Sequence, residues 1–557
     1  MTTSTIDRFL SEIATILQAK DGAKLQDYLV IEPPLSDLYN VLVSELRSVF
    51  PSGSRDALEK KCSGALPEKE DESEVGGSWP SFLAFMVDYF EYLRDLDVSN
   101  LVLTHDMLSG LVTQCISALS NSSMGIVVLP TVISLSRTLA RLSMGLEKRP
   151  DLTENMVRRK STAAGADEDA ERLSLAESTA ELIRRAFTIC LTERSASPNG
   201  VTKEGKPEGK KIGIYSTANL SLKLAFHCHK TRSAQQIFNN IYNQSPPLSL
   251  YPSSQRVTYL YYLWRFMFSN NHFYRAQLAL QSAYDQCHWQ CKGQRALILT
   301  YLVASNIILG RFPSDSLLQR SEADGLAGKF SPVCEAIKKG DLAQFTQFLM
   351  DGPHTDWFLS RGLLLPLRTR GEVLVWRSLA RRVFLINGNM GDSSSRKAPT
   401  FDLSDLLVLG KYLETKSRAN QVNGSSIVIQ NGHSSGTHCV PIDYMDPDLE
   451  GAEDESLQYL EPNMEEMEAI VSSLAYQGLI HGYIAQKLHR FAILGAKFNT
   501  PVNAGFPNIW EVVKGKSEDE VPGWVGDDKL SQGRAGRFGP GMVVNLSGAR
   551  PAGAGPG

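Results

Sequence analysis

From residue 5 to residue 384, apolar side chains recur at the three- and four-residue spacing of an α-helix and scarcely alternate at the spacing of a strand. Each such helix carries a stripe that must be buried on a neighbour, so a chain of this kind folds by stacking helices. The clearest stripe is Phe82, Phe85, Met86, Tyr89, Phe90 and Leu93, entered from Gly76 to Pro80 after an acidic loop, Glu68 to Glu74. Two polar segments interrupt the pattern, Lys148 to Asp169 and Ser195 to Lys211, and between them Leu175 to Leu191 forms one more amphipathic helix. The second segment, rich in Ser, Gly, Lys and Pro, reads as a linker over 195–210 that closes an N-terminal helical region, 1–194.

From Lys211 onward the helices have the length that pairs into antiparallel hairpins. Leu260, Leu263, Trp264, Met267 and Phe268 form a stripe that ends at Asn270 and Asn271, followed by a helix from Tyr274 to Trp289. A very apolar helix, Ala296 to Leu309, is then stopped by Gly310 and Pro313. No fixed repeat period is visible, so residues 211–386 read as a degenerate helical-repeat solenoid of paired helices.

Residues 400–500 change character. Helices at Leu403 to Leu413 and Met464 to Gln477 precede two short strand-like runs, 479–484 and 491–494, around Gln486 to Arg490. Helices followed by a two-stranded β-ribbon are the outline of a winged helix, here interrupted by an acidic insert at about 417–460. The expected fold class is therefore an all-α helical-repeat solenoid ending in a winged-helix subdomain. Residues 514–557, ending in PAGAGPG, carry too much Gly and polar text to pack and are expected to be disordered.

At 557 residues the chain exceeds one ordinary core, and length alone suggests roughly three or four packed units. The net charge of −4 gives no global argument for nucleic acid or membrane, so either partner would need a local patch. Asp7 and Glu12 interrupt the N-terminal run where a signal peptide requires an apolar stretch, and Met124 to Leu135 is short and contains Pro130, so membrane insertion is not expected. Eight cysteines scattered through mostly helical text read as reduced thiols, the pattern of cytosol or nucleus.

Three motifs suggest catalysis or metal binding, and each has a simpler reading. Gly200 to Lys206 (GVTKEGK) matches most of a phosphate-binding loop, but Pro207 stands where Ser or Thr would hold magnesium and no strand precedes it, so a flexible linker is expected. Gly432 to Gly436 (GHSSG) has the spacing of a nucleophile elbow built on Ser434; the text after it is not helical, and the alternating strands of a hydrolase sheet are missing. An esterase using Ser434 is the reading from another class. Cys287 and Cys291, with His227, Cys228 and His229 upstream, would suit zinc, but the cysteine pair reads as lying inside a helix, without the turn usual at structural zinc sites. No cofactor, metal or catalytic residue is expected.

Charge patterning is more informative. Between residues 361 and 382 there are six arginines (361, 368, 370, 377, 381, 382) and one acid, Glu372. Such a run is either a solvated helix face or a stripe that tracks phosphates. The expected wing carries Lys487, His489 and Arg490, with Lys497 following. Asp443 to Glu468 holds eleven acids and no Lys or Arg, which suits a solvated loop or a shield over the basic wing.

The stretch from Val257 to Leu280 (VTYLYYLWRFMFSNNHFYRAQLAL), then Arg295 to Pro313 (RALILTYLVASNIILGRFP), resembles the helical half of a PCI domain. Leu474 to Ile484 (LAYQGLIHGYI) resembles the recognition helix and first strand of the winged-helix half, and the two occur in the family's order. The text most resembles the fungal branch containing the PCI subunit of the nuclear mRNA-export complex of transcription-and-export (TREX) type, and the related signalosome-associated PCI subunit. The resemblance spans about residues 211 to 500; the acidic insert departs from the family pattern. It implies a non-catalytic scaffold that pairs with a second PCI-domain scaffold protein and a small acidic proteasome-lid-type subunit. In the export branch it further implies RNA or DNA binding, location in the nucleus, and association with nuclear pores through the complex. A signalosome-type or proteasome-lid-like subunit would bind protein only. The expected nucleic-acid contacts are Arg377, Arg381, Arg382, Lys487, Arg490 and Lys497, and the expected partner interface is Leu479, Ile480 and Tyr483.

Overall fold

The computed structural model describes residues 4–66, 79–97, 99–149, 152, 174–194, 200–391, 397–413, 463–497, 499–517 and 520–524. The chain divides into two compact units rather than three or four, residues 1–259 with 520–557 and residues 260–519.

In the first unit the predicted stripe lies on the helix Pro80–Asp95, with every member buried. Tyr89 Oη donates to the Val30 carbonyl at 2.9 Å, and Phe9 stacks between Tyr28 and Tyr89 at 4.7 and 6.2 Å. Met124 to Leu135 proves not to be short: it belongs to a continuous helix, Gly125–Glu147, that runs through Pro130. Pro130 lies in the second turn, where its missing N–H removes one bond of the helix ladder, the one to the Ile126 carbonyl. By length and composition this helix could cross a membrane. Val128, Val132, Leu135 and Leu139 are, however, buried against Leu101–Leu119 and Leu175–Thr192, as in the core helix of a stack. A buried polar chain joins the same three helices: Ser143 Oγ bonds to His105 Nε2 at 3.0 Å and to Thr179 Oγ1 at 2.7 Å.

Residues 200–210, read as part of a flexible linker, are instead tied down. Val201 bridges Pro207, Glu208 N donates to the Gly200 carbonyl at 2.9 Å, and buried Lys210 lies 3.5 Å from the Glu193 carboxylate. Gly200 adopts φ +64, and a β-carbon there would meet Lys211, so the GVTKEGK glycine serves a local turn. Residues 520–524, assigned to the tail, also belong to this unit: Tyr259 Oη donates to the Gly523 carbonyl at 2.7 Å and Val521 is buried. One apolar residue and two tyrosine hydroxyls hold a segment whose composition alone gave no sign of packing.

In the second unit Leu260, Leu263, Trp264, Met267 and Phe268 are all buried, and Trp264 Nε1 donates to Ser305 Oγ at 3.2 Å. The following helices are Phe273–Gln286 and Lys292–Ile308. Cys287 and Cys291 therefore lie in the turn between two helices, not within one. Arg295 straps that turn, donating to the Cys287 carbonyl at 2.7 Å while its guanidinium lies 4.3 Å from the Tyr284 ring centre. Glu322 accepts from Tyr284 Oη at 2.9 Å and from Arg295 at 3.3 Å.

The long helix Leu364–Asn387 leads into the winged helix. Residues 403–413 are helical, Met464–Tyr476 is the second helix, and Gly482–Ala485 (β2) pairs antiparallel with Arg490–Ile493 (β3). A third strand, Thr400–Asp402 (β1), joins the expected ribbon on the other side of β3, placing Phe401 opposite Phe491 with ring centres 5.3 Å apart. Three residues are too few to show a period, so this strand was not legible in the sequence. Residues 514–516 also depart from the expected tail, since they end the helix Ile509–Lys516.

Candidate nucleic-acid and partner surface

The winged helix is built on one apolar core. Leu379, Ala380, Val383 and Phe384 from the last turns of Leu364–Asn387 pack with Phe401, Leu403, Leu406, Met467, Val471, Leu474, Phe491 and Ile493. Phe384 lies 5.9 Å from Phe506 and 6.4 Å from Phe401, ring centre to ring centre. The three-and-four spacing that buries 379, 380, 383 and 384 turns the intervening 381 and 382 outward, and both arginines are exposed. They belong to the helix face opposite the one that closes the winged-helix core.

Arg377 has the other orientation. Its Nε donates to the Leu479 carbonyl at 3.0 Å and its Nη2 to the Pro507 carbonyl at 2.6 Å, and the residue is 9% exposed. Burial, reinforced by the Arg381 charge, pulls the guanidinium down to about 10, which leaves it charged at neutral pH. Arg377 is thus withdrawn from the phosphate-facing set: it is a strut between the helical repeat and the loops of the winged helix. One turn of helix separates it from Arg381, and the two look alike in the sequence because charge alone does not tell which arginine finds carbonyl partners.

The wing places its cations at the tip between β2 and β3. Lys487 lies in the short turn Gln486–Leu488, His489 adopts a left-handed φ of +47, and Arg490 begins β3. All three are exposed, as is Lys497 beyond the strand. Arg490 Nε pairs with Asp402 on β1, and His489 Nδ1 lies 3.0 Å from Glu468 Oε1, so part of the wing's charge is balanced within the fold. Lys487 and Lys497 make no ion pair among the described residues, and they carry the net positive charge of this edge.

The expected partner residues also separate. Leu479 and Ile480 are 5% and 1% exposed and belong to the core, so they support the surface from beneath and do not form it. Tyr483, on the edge strand β2, is exposed. Tyr476, 90% exposed at the end of Met464–Tyr476, also faces outward, as do Leu488 and Leu494. The Tyr476 position was readable: Met467, Val471 and Leu474 mark the buried stripe, and residue 476 falls off it.

Ser434 and the acidic insert at 417–460 lie outside the described residues. Among the described residues no group of three or more His, Cys, Asp or Glu could hold a metal ion.

No family model matches the chain. It is 31% identical over 243 residues to a PCI domain-containing protein of Schizosaccharomyces pombe, covering 44% of this chain and 50% of that protein. It is 32% identical over 226 residues to a CSN12 homolog of Neurospora crassa (40% and 47%), and 25% identical over 238 residues to PCI domain-containing protein 2 of Xenopus laevis (43% and 53%). The chain spans about half the length of these curated relatives. With its helical repeat running into a winged helix, the chain is similar over the matched residues to PCI-domain proteins and CSN12 homologs.

Proposed function

We propose that this chain is a non-catalytic scaffold subunit of a nuclear complex that couples transcription to mRNA export, where it pairs with a second PCI-domain protein and a small acidic proteasome-lid-type subunit. In that setting it is found in the nucleus and at nuclear pores. Its winged helix binds RNA or DNA without sequence preference. The observation that carries the nucleic-acid part is the outward placement of Arg381, Arg382, Lys487 and Lys497 around the winged-helix core, while the apolar residues beneath are used up in packing. Flexible cations on a rigid base can follow a phosphate backbone, and such contacts position a chain without reading bases. Exposed Tyr476 and Tyr483 offer the large, half-apolar side chains that protein interfaces favour.

A second reading rests on the CSN12 name of several relatives: a signalosome-like subunit that binds protein alone. Tagged purification from nuclear extract, with and without nuclease, tests the partner assignment, and a salt titration of single-stranded RNA binding tests the surface. Recovery of a second PCI protein with export factors, and RNA binding that weakens with salt, is the expected result. Signalosome or lid subunits alone, with no RNA binding at low salt, would move the chain to the second reading.

A further inference from the structure

A groove of about 520 Å3 opens within the second unit where the start of Phe273–Gln286 meets Leu364–Asn387 and Ile509–Lys516. That volume is in the range of small-molecule sites, about 300–1,000 Å3. Its lining mixes two chemistries: Ile308, Ile509 and Val513 are apolar, whereas Arg275, Arg370 and Lys516 supply cations, and among the described residues no carboxylate lines it. A cationic lining of this kind is notable in a chain whose net charge is −4.

The cations are held in place. The Arg370 guanidinium lies 5.6 Å from the centre of the Phe273 ring, which brings it to the first residue of the helix Phe273–Gln286. That helix begins without a side-chain cap: His272 at the N-cap accepts no bond from the first turn. First-turn amides and the positive end of the helix dipole therefore add to the charge of Arg370. Lys516 Nζ donates to the Tyr476 carbonyl at 3.2 Å, which occupies one of the ammonium's three donors. Gly478, at φ +75, lets the lysine pass, since a β-carbon there would lie 3.0 Å from Nζ.

We infer that this groove binds a small organic polyphosphate, with its phosphates between Arg370, Lys516 and the start of Phe273–Gln286 and its organic body against Ile308, Ile509 and Val513. Two cations and a helix start in one groove match a di- or triphosphate better than a single carboxylate, and the apolar lining has no use for an inorganic ion. The site is separate from the winged-helix surface, because Arg381, Arg382, Lys487 and Lys497 do not line it.

Calorimetric titration of the full chain with inorganic tripolyphosphate and with ATP, in low salt without magnesium, tests the inference. The expected result is saturable one-to-one binding, with ATP at least threefold tighter than tripolyphosphate. Arg370→Ala and Lys516→Gln should each weaken binding at least tenfold with unchanged thermal unfolding, since both side chains are exposed. The Arg381→Ala, Arg382→Ala double variant should bind ATP as the parent does, which separates this site from the proposed RNA surface. Absence of saturable binding, or binding that survives both groove substitutions, would overturn the site. ATP binding no tighter than tripolyphosphate would overturn the assignment of an organic ligand.

Discussion

The Nε of Arg377 donates to the carbonyl oxygen of Leu479 at 3.0 Å. A side chain of the helical repeat thereby reaches the loop that follows the second helix of the winged helix, and its Nη2 holds a second loop at Pro507. Charge-assisted bonds to two carbonyls in a buried setting compensate for taking the guanidinium out of water. The connection between the helical repeat and the winged helix is therefore polar at one point and apolar around it, through Leu379, Val383 and Phe384.

Arg377→Ala should destabilise the second unit by about 3 kcal/mol, because it strands the buried Leu479 carbonyl and the half-buried Pro507 carbonyl and leaves a cavity. Urea unfolding should show a lower midpoint for the corresponding transition. An unchanged midpoint would mean that water replaces the guanidinium at no cost.

Arg381→Ala, Arg382→Ala, Lys487→Ala and Lys497→Ala should leave stability nearly untouched while weakening RNA binding. For single-stranded RNA the slope of log affinity against log salt should fall by about 0.7 for each phosphate contact removed. A slope identical to the parent's would exclude these residues from the contact.

Tyr476→Ala and Tyr483→Ala should weaken capture of the second PCI protein by about 1–2 kcal/mol each, as expected for exposed aromatic anchors at an interface. Their thermal midpoints should match the parent's, because both rings face outward. Undiminished capture by the double variant would move the interface elsewhere.

The Glu322 carboxyl is held down at about 2 by its own backbone N–H, by Tyr284 Oη and by Arg295, from an ordinary value of 4.5. A carboxyl whose pKa is lower in the folded chain stabilises it above the unfolded value, and that contribution is lost as pH falls from about 4.5 toward 2. Glu322→Gln should therefore lower the thermal midpoint at pH 7, with the difference from the parent shrinking across that acid window. A pH-independent difference would assign the effect to packing and not to charge.

Gly310→Ala should cost about 1–3 kcal/mol. The residue has φ +76 and a β-carbon there would fall 2.7 Å from Ile509, at the contact between Lys292–Ile308 and Ile509–Lys516. Gly293→Ala, where nothing lies within 4 Å, is the matched control and should be neutral or stabilising. Equal stability of the two variants would refute the close approach.

Much of the helical architecture was legible because helix periodicity repeats over many residues. The stripes at Phe82 to Leu93 and Leu260 to Phe268 came through intact, as did helix 403–413, and the two strand-like runs read at 479–484 and 491–494 form strands shifted to 482–485 and 490–493. Short or non-periodic features did not. The helix expected to run to Trp289 stops at Gln286, strand Thr400–Asp402 was invisible, and residues 520–524 packed where composition suggested a tail. The candidate surface was half legible: the run of arginines was plain, but whether a given arginine faces water depends on which side of its helix meets the core.

What the amino-acid order determined by itself was a stack of helices ending in a winged helix, because a 3.6-residue apolar period permits little else and must be buried on neighbours. What only the tertiary structure decided was the fate of individual charges and side chains. Arg377 turned inward to two carbonyls while Arg381 and Arg382, a turn later, stayed in water; Leu479 and Ile480 went to the core while Tyr476 and Tyr483 remained outside. The physical reason is that burial of a polar group is settled by partners brought from far along the chain, here from residues 102 and 130 positions away. Local sequence carries the period of a helix, but not the identity of what will pack against it.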